Sequence, residues 1–164
     1  MAVVFTSLAL RGFKQIVIFL TFGPLSMLGV VYALSGGLVQ EALAVSLPVG
    51  LLITAVAYLK GAHLEVREGE GRQVLINLDT WKLALLYTAA YSSLVAGVAI
   101  GLMPPWALLG LGSIPLAVAV TRGLRRSSGR VSHYVWAVVE AIVTLIAFGL
   151  LQVAGYVVGR GGGA

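Results

Sequence analysis

The sequence predicts an all-α, polytopic membrane protein with about five transmembrane helices. The first observation behind this prediction is composition: 59% of the 164 residues are hydrophobic, 10% are charged, and the mean hydropathy is +1.00. An average soluble domain carries about 25% charged residues. The second observation is that segments such as "GLLITAVAYL" and "AIVTLIAFGLL" are apolar on both faces, which favours helices over the alternating strands of an outer-membrane barrel.

The whole chain, residues 1–164, is expected to form a single transmembrane domain. Each apolar segment is near the ~20 residues that a helix needs to cross the hydrocarbon core. The predicted spans are 15–34, 40–59, 83–103, 104–121 and 135–158, and the loops at 60–82 and 122–134 are expected to be cytoplasmic. Within span one, Gly23 and Pro24 should kink the helix. Within span four, Gly110, Gly112 and Ser113 should allow close helix packing.

The distribution of Lys and Arg predicts the orientation, because positive charge in short loops stays on the cytoplasmic side. Ten cations fall on one side of the predicted spans and only Arg160 falls on the other. The ten are Arg11, Lys14, Lys60, Arg67, Arg72, Lys82, Arg122, Arg125, Arg126 and Arg130. We therefore expect a multi-pass protein of the cell membrane with its N-terminus inside and its C-terminus outside.

The net charge of +5 is explained by the cations that fix the topology. These cations would also attract anionic lipid head groups to some extent. It gives no reason to expect a nucleic-acid partner. Because the chain contains no cysteine, disulfides and thiolate metal sites are excluded. The one partner that composition requires is the lipid bilayer.

The stretch "AYLKGAHLEVREGEGRQVLINLDTW", residues 57–81, holds four of the six carboxylates. Apolar and polar residues alternate around "GEG", which slightly favours a β-hairpin. A helix end, a turn at Gly69 and Gly71, and a second short helix up to Trp81 form the competing interpretation. Local rules leave both conformations open.

This loop also holds weak candidates for chemistry. Glu65 and Glu68 are three residues apart, the spacing at which two carboxylates share a helix face and could hold Mg²⁺. His63 is a candidate general base. Arg67 and Arg72 would either neutralise the carboxylates or contact a phosphate directly. The alternative is a solvated loop with surface ion pairs and no metal.

Glu140 lies one or two turns inside the last span, where a carboxylate is costly unless it is paired or faces water. An intramembrane ionisable residue is a functional candidate. The other interpretations are pairing with an arginine of the preceding loop, or protonation. A small transporter or channel that uses Glu140 for proton coupling is one functional hypothesis.

The order of several short motifs resembles a known family. The segments "FGPL", "SLPVGLL", a charged loop ending in "GEGRQVL", then "ALLYTAAY" and a terminal "FGLL" follow one another from about residue 11 to the end. This order is similar to the C-terminal half of the UbiA superfamily of intramembrane prenyltransferases. The branch that prenylates 1,4-dihydroxy-2-naphthoate during menaquinone synthesis is the most similar. The resemblance implies half of a UbiA-like helical bundle.

The resemblance also implies where a second Asp-rich Mg²⁺ motif would lie. If Gly71, Arg72 and Leu75 match its ending, its two aspartates correspond to His63 and Arg67. Neither residue is the expected metal ligand, and a cation at Arg67 opposes metal binding. The diphosphate contacts implied by the resemblance are Arg72, Arg67 and Lys60.

Because the family's first motif has no counterpart and its second is altered, we expect a non-catalytic subunit of a membrane assembly. Other membrane subunits or a second copy would be its partners, and an isoprenoid quinone or prenyl lipid could be its ligand. No cofactor is expected. The alternative is one half of a split or self-pairing prenyltransferase, with Mg²⁺ held by Glu65 and Glu68.

Overall fold

Five helices long and apolar enough to cross a membrane form the bulk of the protein. The structure is a computed structural model, and it describes residues 13–37, 39–61, 63–66, 73–76, 79–126 and 131–161. In chain order the elements are α1 (Phe13–Ser35), α2 (Gln40–Lys60), β1 (His63–Val66), β2 (Gln73–Ile76), α3 (Thr80–Ala99), a 3-10 helix (Pro105–Ser113), α4 (Ile114–Arg126) and α5 (Val131–Gly161). The predicted all-α membrane fold is confirmed.

The core of the bundle is built from α2, α3, α4 and α5, and it is rich in small residues. In a membrane there is little hydrophobic gain from bringing two helices together, so close backbone approach and van der Waals packing must stabilise the contact. Alanines alternate with larger side chains along the buried faces. The fully buried apolar residues include Leu52, Ala55, Leu59, Leu83, Ala90, Leu94, Ala107, Val120 and Phe148.

Helix α1 lies at the edge of this bundle. Only 6% of its membrane-spanning window is buried within the chain, against 50% for α2. Its contact with α2 is made where two glycines meet: a Cβ on Gly23 would lie 3.0 Å from Gly50 Cα, and one on Gly50 would lie 2.9 Å from Gly23 Cα. The two backbones therefore touch, and this contact depends on the absence of both side chains.

Residues Thr21–Leu25 of α1 form a π-helical turn that contains Pro24. The sequence predicts a kink here. A π turn is a known way to accommodate a residue that interrupts the regular hydrogen bonding of a helix. Since Gly23 lies in this turn and is buried against α2, the irregular turn coincides with the helix crossing.

The fourth span starts differently from the regular helix that we expected. Its first nine residues, Pro105–Ser113, form a 3-10 helix, which then continues as α4. Such a long 3-10 segment is unusual. Gly110 and Gly112 disfavour an α-helix, and both pack closely on α5: a Cβ on Gly110 would lie 3.0 Å from Phe148 Cε2, and one on Gly112 would lie 3.2 Å from Leu151 Cδ1. The expected close packing of these small residues is confirmed.

The charged loop between α2 and α3 contains a two-stranded antiparallel hairpin. His63 pairs with Ile76 and Val66 pairs with Gln73. This confirms the favoured interpretation and rules out a helix over these strands. The Asp79 backbone N–H donates to the Tyr58 hydroxyl (2.9 Å), which ties the start of α3 to the end of α2. The two helix ends that flank the charged loop are therefore held together.

Candidate functional site

The structure places the candidate residues of the charged loop only in part. Lys60 is the exposed last residue of α2. His63 and Glu65 belong to β1, where Glu65 pairs with Val74 on β2. The three remaining candidates lie outside the described residues: Arg67, Glu68 and Arg72.

The helical spacing used to pair Glu65 with Glu68 does not apply. Glu65 lies on a β-strand rather than on a helix, and Glu68 lies outside the described residues, so their pairing stays a prediction. Among the residues that the structure describes, no group of three or more His, Cys, Asp or Glu side chains is arranged to hold a metal ion. The metal and diphosphate roles of this loop stay predictions.

Glu140 is half-buried on α5, close to α4. A Cβ on Gly123 would lie 3.9 Å from its Oε2 atom. The carboxylate is also near enough to the buried Tyr87 phenol of α3 to interact with it electrostatically. Among described side chains, no lysine or arginine, including Arg122, is within ion-pair distance of Glu140. Glu140 therefore makes no ion pair with Arg122. Pairing with another arginine of that loop stays a prediction, because the side chains of the others lie outside the described residues.

A pocket lies at the opposite end of the bundle from the hairpin. It has a volume of about 390 Å³ and is formed where α1, the start of α2 and the end of α5 meet. Ligand pockets in proteins typically range from about 300 to 1,000 Å³ and are apolar with a few polar groups. The apolar lining residues are Met27, Val31, Val39, Ala42, Val45, Val153 and Val157, and the polar ones are Glu41, Gln152 and Tyr156.

Two polar side chains of this pocket are buried without a hydrogen-bond partner among the described residues. Gln152 is only 5% exposed, and neither its Nε2 nor its Oε1 atom is hydrogen-bonded. The buried hydroxyl of Tyr156, one helical turn further along α5, is also unpaired. An unpaired buried polar group costs about 1–3 kcal/mol. Outside the pocket, one other described side chain is in this state: the buried hydroxyl of Tyr87 on α3 is also unpaired.

The contrast with nearby polar residues is clear. The hydroxyls of Tyr91 and Ser113 are 2.8 Å apart, and Ser113 Oγ also donates to the Gly110 carbonyl (2.8 Å). Thr54 and Thr144 likewise donate to carbonyls of their own helices. Most buried polar groups in proteins are satisfied in this way. Of the three described side chains with buried, unpaired atoms, Gln152 and Tyr156 line the pocket and Tyr87 does not.

Glu41 supplies the charge of the pocket. It is exposed in the first turn of α2, where the helix dipole favours a carboxylate. The described lining therefore combines an apolar wall, one carboxylate at the rim, and a carboxamide and a phenol beneath the surface.

Sequence reasoning did not single out Glu41, Gln152 or Tyr156. One signal was available: Gln152 is an uncharged polar residue deep in an apolar span, and Tyr156 lies four residues later on the same face of the helix. Glu41 is the second residue of its predicted span, a position at which a carboxylate is normally exposed to water at the helix end. Only the packing of α1 and α5 beside α2 brings the three together.

No family model, curated protein or solved structure matches this chain.

Proposed function

We propose that this chain is a non-catalytic membrane protein that binds an isoprenoid quinone or a similar prenyl lipid in the pocket between α1, α2 and α5. The observation that carries the proposal is the coincidence of an apolar pocket of about 390 Å³ with buried, unpaired polar atoms. An amphiphile with a branched apolar tail and a small polar head matches both features. The resemblance to UbiA-type prenyltransferases in the motif order also supports this class of ligand.

The exposed part of the lining supports access from the bilayer. Val153 and Val157 are 63% and 66% exposed, and both line the pocket on α5. A lipid could therefore enter sideways, without crossing the packed core. This lateral route suits ligands that dissolve in the membrane.

The proposed orientation has the N-terminus in the cytoplasm of the cell, so that the pocket lies in the outer half of the membrane. Because the chain has no cysteine, labelling of a single introduced cysteine shows on which side of the membrane that residue lies, without background labelling. In intact cells, a membrane-impermeant maleimide should label Gly37→Cys and leave Lys60→Cys unlabelled until the membrane is opened. The reverse labelling pattern would contradict the proposed orientation.

The binding proposal is tested by filling the pocket from its lipid-facing side. Val153→Trp places a large ring in the lining without disturbing the core, since this side chain is already mostly exposed. We expect the affinity for a tritium-labelled short-chain menaquinone, measured by scintillation proximity on purified protein, to fall about tenfold or more, equivalent to at least ~1.4 kcal/mol.

Leu150→Trp is the matched control. Leu150 lies on the same helix, is 67% exposed and does not line the pocket. This variant should bind the quinone like the unmodified protein. If the two tryptophan variants bind equally well, or if the unmodified protein shows no saturable binding of either menaquinone or its quinol, the proposed function is wrong.

Three functional hypotheses drawn from the sequence stay predictions. They are a role as a subunit of a membrane assembly, a split prenyltransferase with Mg²⁺ at Glu65 and Glu68, and proton-coupled transport through Glu140. The pocket gives no support to transport through Glu140, since this residue is not among its described lining residues.

A further inference from the structure

The polar atoms of the pocket specify more about the ligand than its size does. Gln152 offers two N–H donors on Nε2 and an acceptor on Oε1, while the Tyr156 hydroxyl can both donate and accept. None of these atoms has a partner among the described residues. Glu41 at the rim is an acceptor when ionised. A complementary head group must therefore both donate and accept hydrogen bonds.

The carboxamide of Gln152 lies just beneath the pocket surface. A Cβ on Gly110 would lie 3.4 Å from its Nε2 atom, so the amide is directed toward the 3-10 helix, while the residue as a whole lines the pocket. A hydrogen bond between this amide and a ligand in the pocket therefore requires rotation of the side chain. No described hydrogen bond resists that rotation, because both amide atoms are unpaired.

Hydrogen-bond complementarity separates the common kinds of head group. An ammonium group has donors only, and it would leave the N–H groups of Gln152 unpaired. An ether, a ketone or a phosphate ester is mainly an acceptor, and it would leave Gln152 Oε1 unpaired. A phosphate would also bring negative charge toward Glu41. A hydroxyl group is the smallest head that donates and accepts at once.

We propose that the pocket selects an uncharged isoprenoid amphiphile whose head group carries a free hydroxyl, such as a prenyl alcohol or a quinol, with Gln152, Tyr156 and Glu41 as its hydrogen-bonding residues. This inference rests on the proposed lipid-binding function and adds the chemistry of the head group. It makes phosphorylated isoprenoids poor ligands of this pocket.

The test compares four probes that share one tail and differ at the head: farnesol, farnesyl methyl ether, farnesylamine and farnesyl diphosphate. Each is titrated against labelled menaquinol, whose head group carries two free hydroxyls, bound to the purified protein in nanodiscs. Farnesol should compete most strongly, and the methyl ether about tenfold more weakly, because it lacks one hydrogen-bond donor to a buried site. The amine and the diphosphate should be weaker still.

Variants assign the effect to the named residues. Gln152→Leu replaces the amide by an apolar group of similar size, which removes the unpaired atoms without opening a cavity. It should reduce the preference for farnesol over its methyl ether to within about twofold. Tyr156→Phe should reduce the preference partly. The matched control is Tyr91→Phe, whose hydroxyl is bonded to Ser113 and lies outside the pocket, and it should leave the preference unchanged.

The outcomes separate the two proposals. If neither menaquinone nor menaquinol shows saturable binding, the lipid-binding function fails. If the probes compete but the ether, the amine or the diphosphate equals or exceeds farnesol, the pocket stands and the hydroxyl inference is overturned. A preference for farnesol that persists unchanged in Gln152→Leu overturns the assigned residues.

Discussion

Gly155→Ala is expected to destabilise the bundle by about 2–3 kcal/mol, the upper part of the range for overpacking a close contact. A Cβ at this position would overlap the carbonyl oxygen of Trp106, and it would lie 2.9 Å from the Trp106 carbonyl carbon and 3.3 Å from the Ala107 nitrogen. These are backbone atoms at the start of the 3-10 helix, so no side-chain rotation relieves the overlap. The helix start must move away from α5.

The measurement is the loss of folded protein on heating or on titration with a denaturing detergent. Gly149→Ala is the control, because this glycine lies on the same helix and a Cβ there meets nothing within 4 Å. Since alanine favours a helix over glycine by up to about 1 kcal/mol, the control should be as stable as the original or slightly more so. Equal stability of both variants would show that α5 does not pack on the Trp106 backbone as described.

Gly50→Ala is expected to separate α1 from α2. The new methyl group would lie 2.9 Å from Gly23 Cα and 3.1 Å from Phe19 Cε2. The ring can turn aside, but the Gly23 backbone cannot move without displacing the whole helix. Because α1 makes few other contacts with the bundle, we expect its packing to be lost while α2 to α5 stay folded.

Lipid binding provides the readout for this variant. Met27 and Val31 line the pocket from α1, so displacement of this helix should abolish menaquinone binding, with a smaller effect on unfolding than that of Gly155→Ala. Gly29→Ala, on α1 itself with nothing within 4 Å of its Cβ position, should bind normally. Normal binding by Gly50→Ala would contradict the proposed contribution of α1 to the pocket.

The sequence predicted the membrane-spanning helices well because hydrophobic length is a local property. A helix that crosses the bilayer must be apolar over about 20 residues whatever it packs against. The hairpin was also accessible, since the alternation on either side of "GEG" reports strand geometry directly. The 3-10 segment could not be predicted from the sequence, because the packing of Gly110 on Phe148 involves residues far apart in the chain.

The candidate site was largely beyond sequence reasoning. The predicted site residues belong mostly to the cluster of charges in the loop, whereas the polar lining of the pocket consists of one carboxylate, one amide and one phenol. Glu41 and Gln152 are 111 positions apart, and neither belongs to a motif. Their proximity is fixed by how the ends of α2 and α5 meet, which a single sequence does not encode in any local pattern.

The π turn in α1 has a consequence for how the two faces of this helix are aligned. A π turn holds one residue more than a regular turn would, and one residue corresponds to a rotation of about 100° around the helix axis. Gly23 lies within the turn and packs on α2, whereas Met27 and Val31 follow it and line the pocket. The extra residue thus sets the rotation between the face that packs α1 on α2 and the face that lines the pocket. A chain one residue shorter at this point would keep its hydrophobicity and its span, yet it would turn a different stripe of side chains toward the pocket.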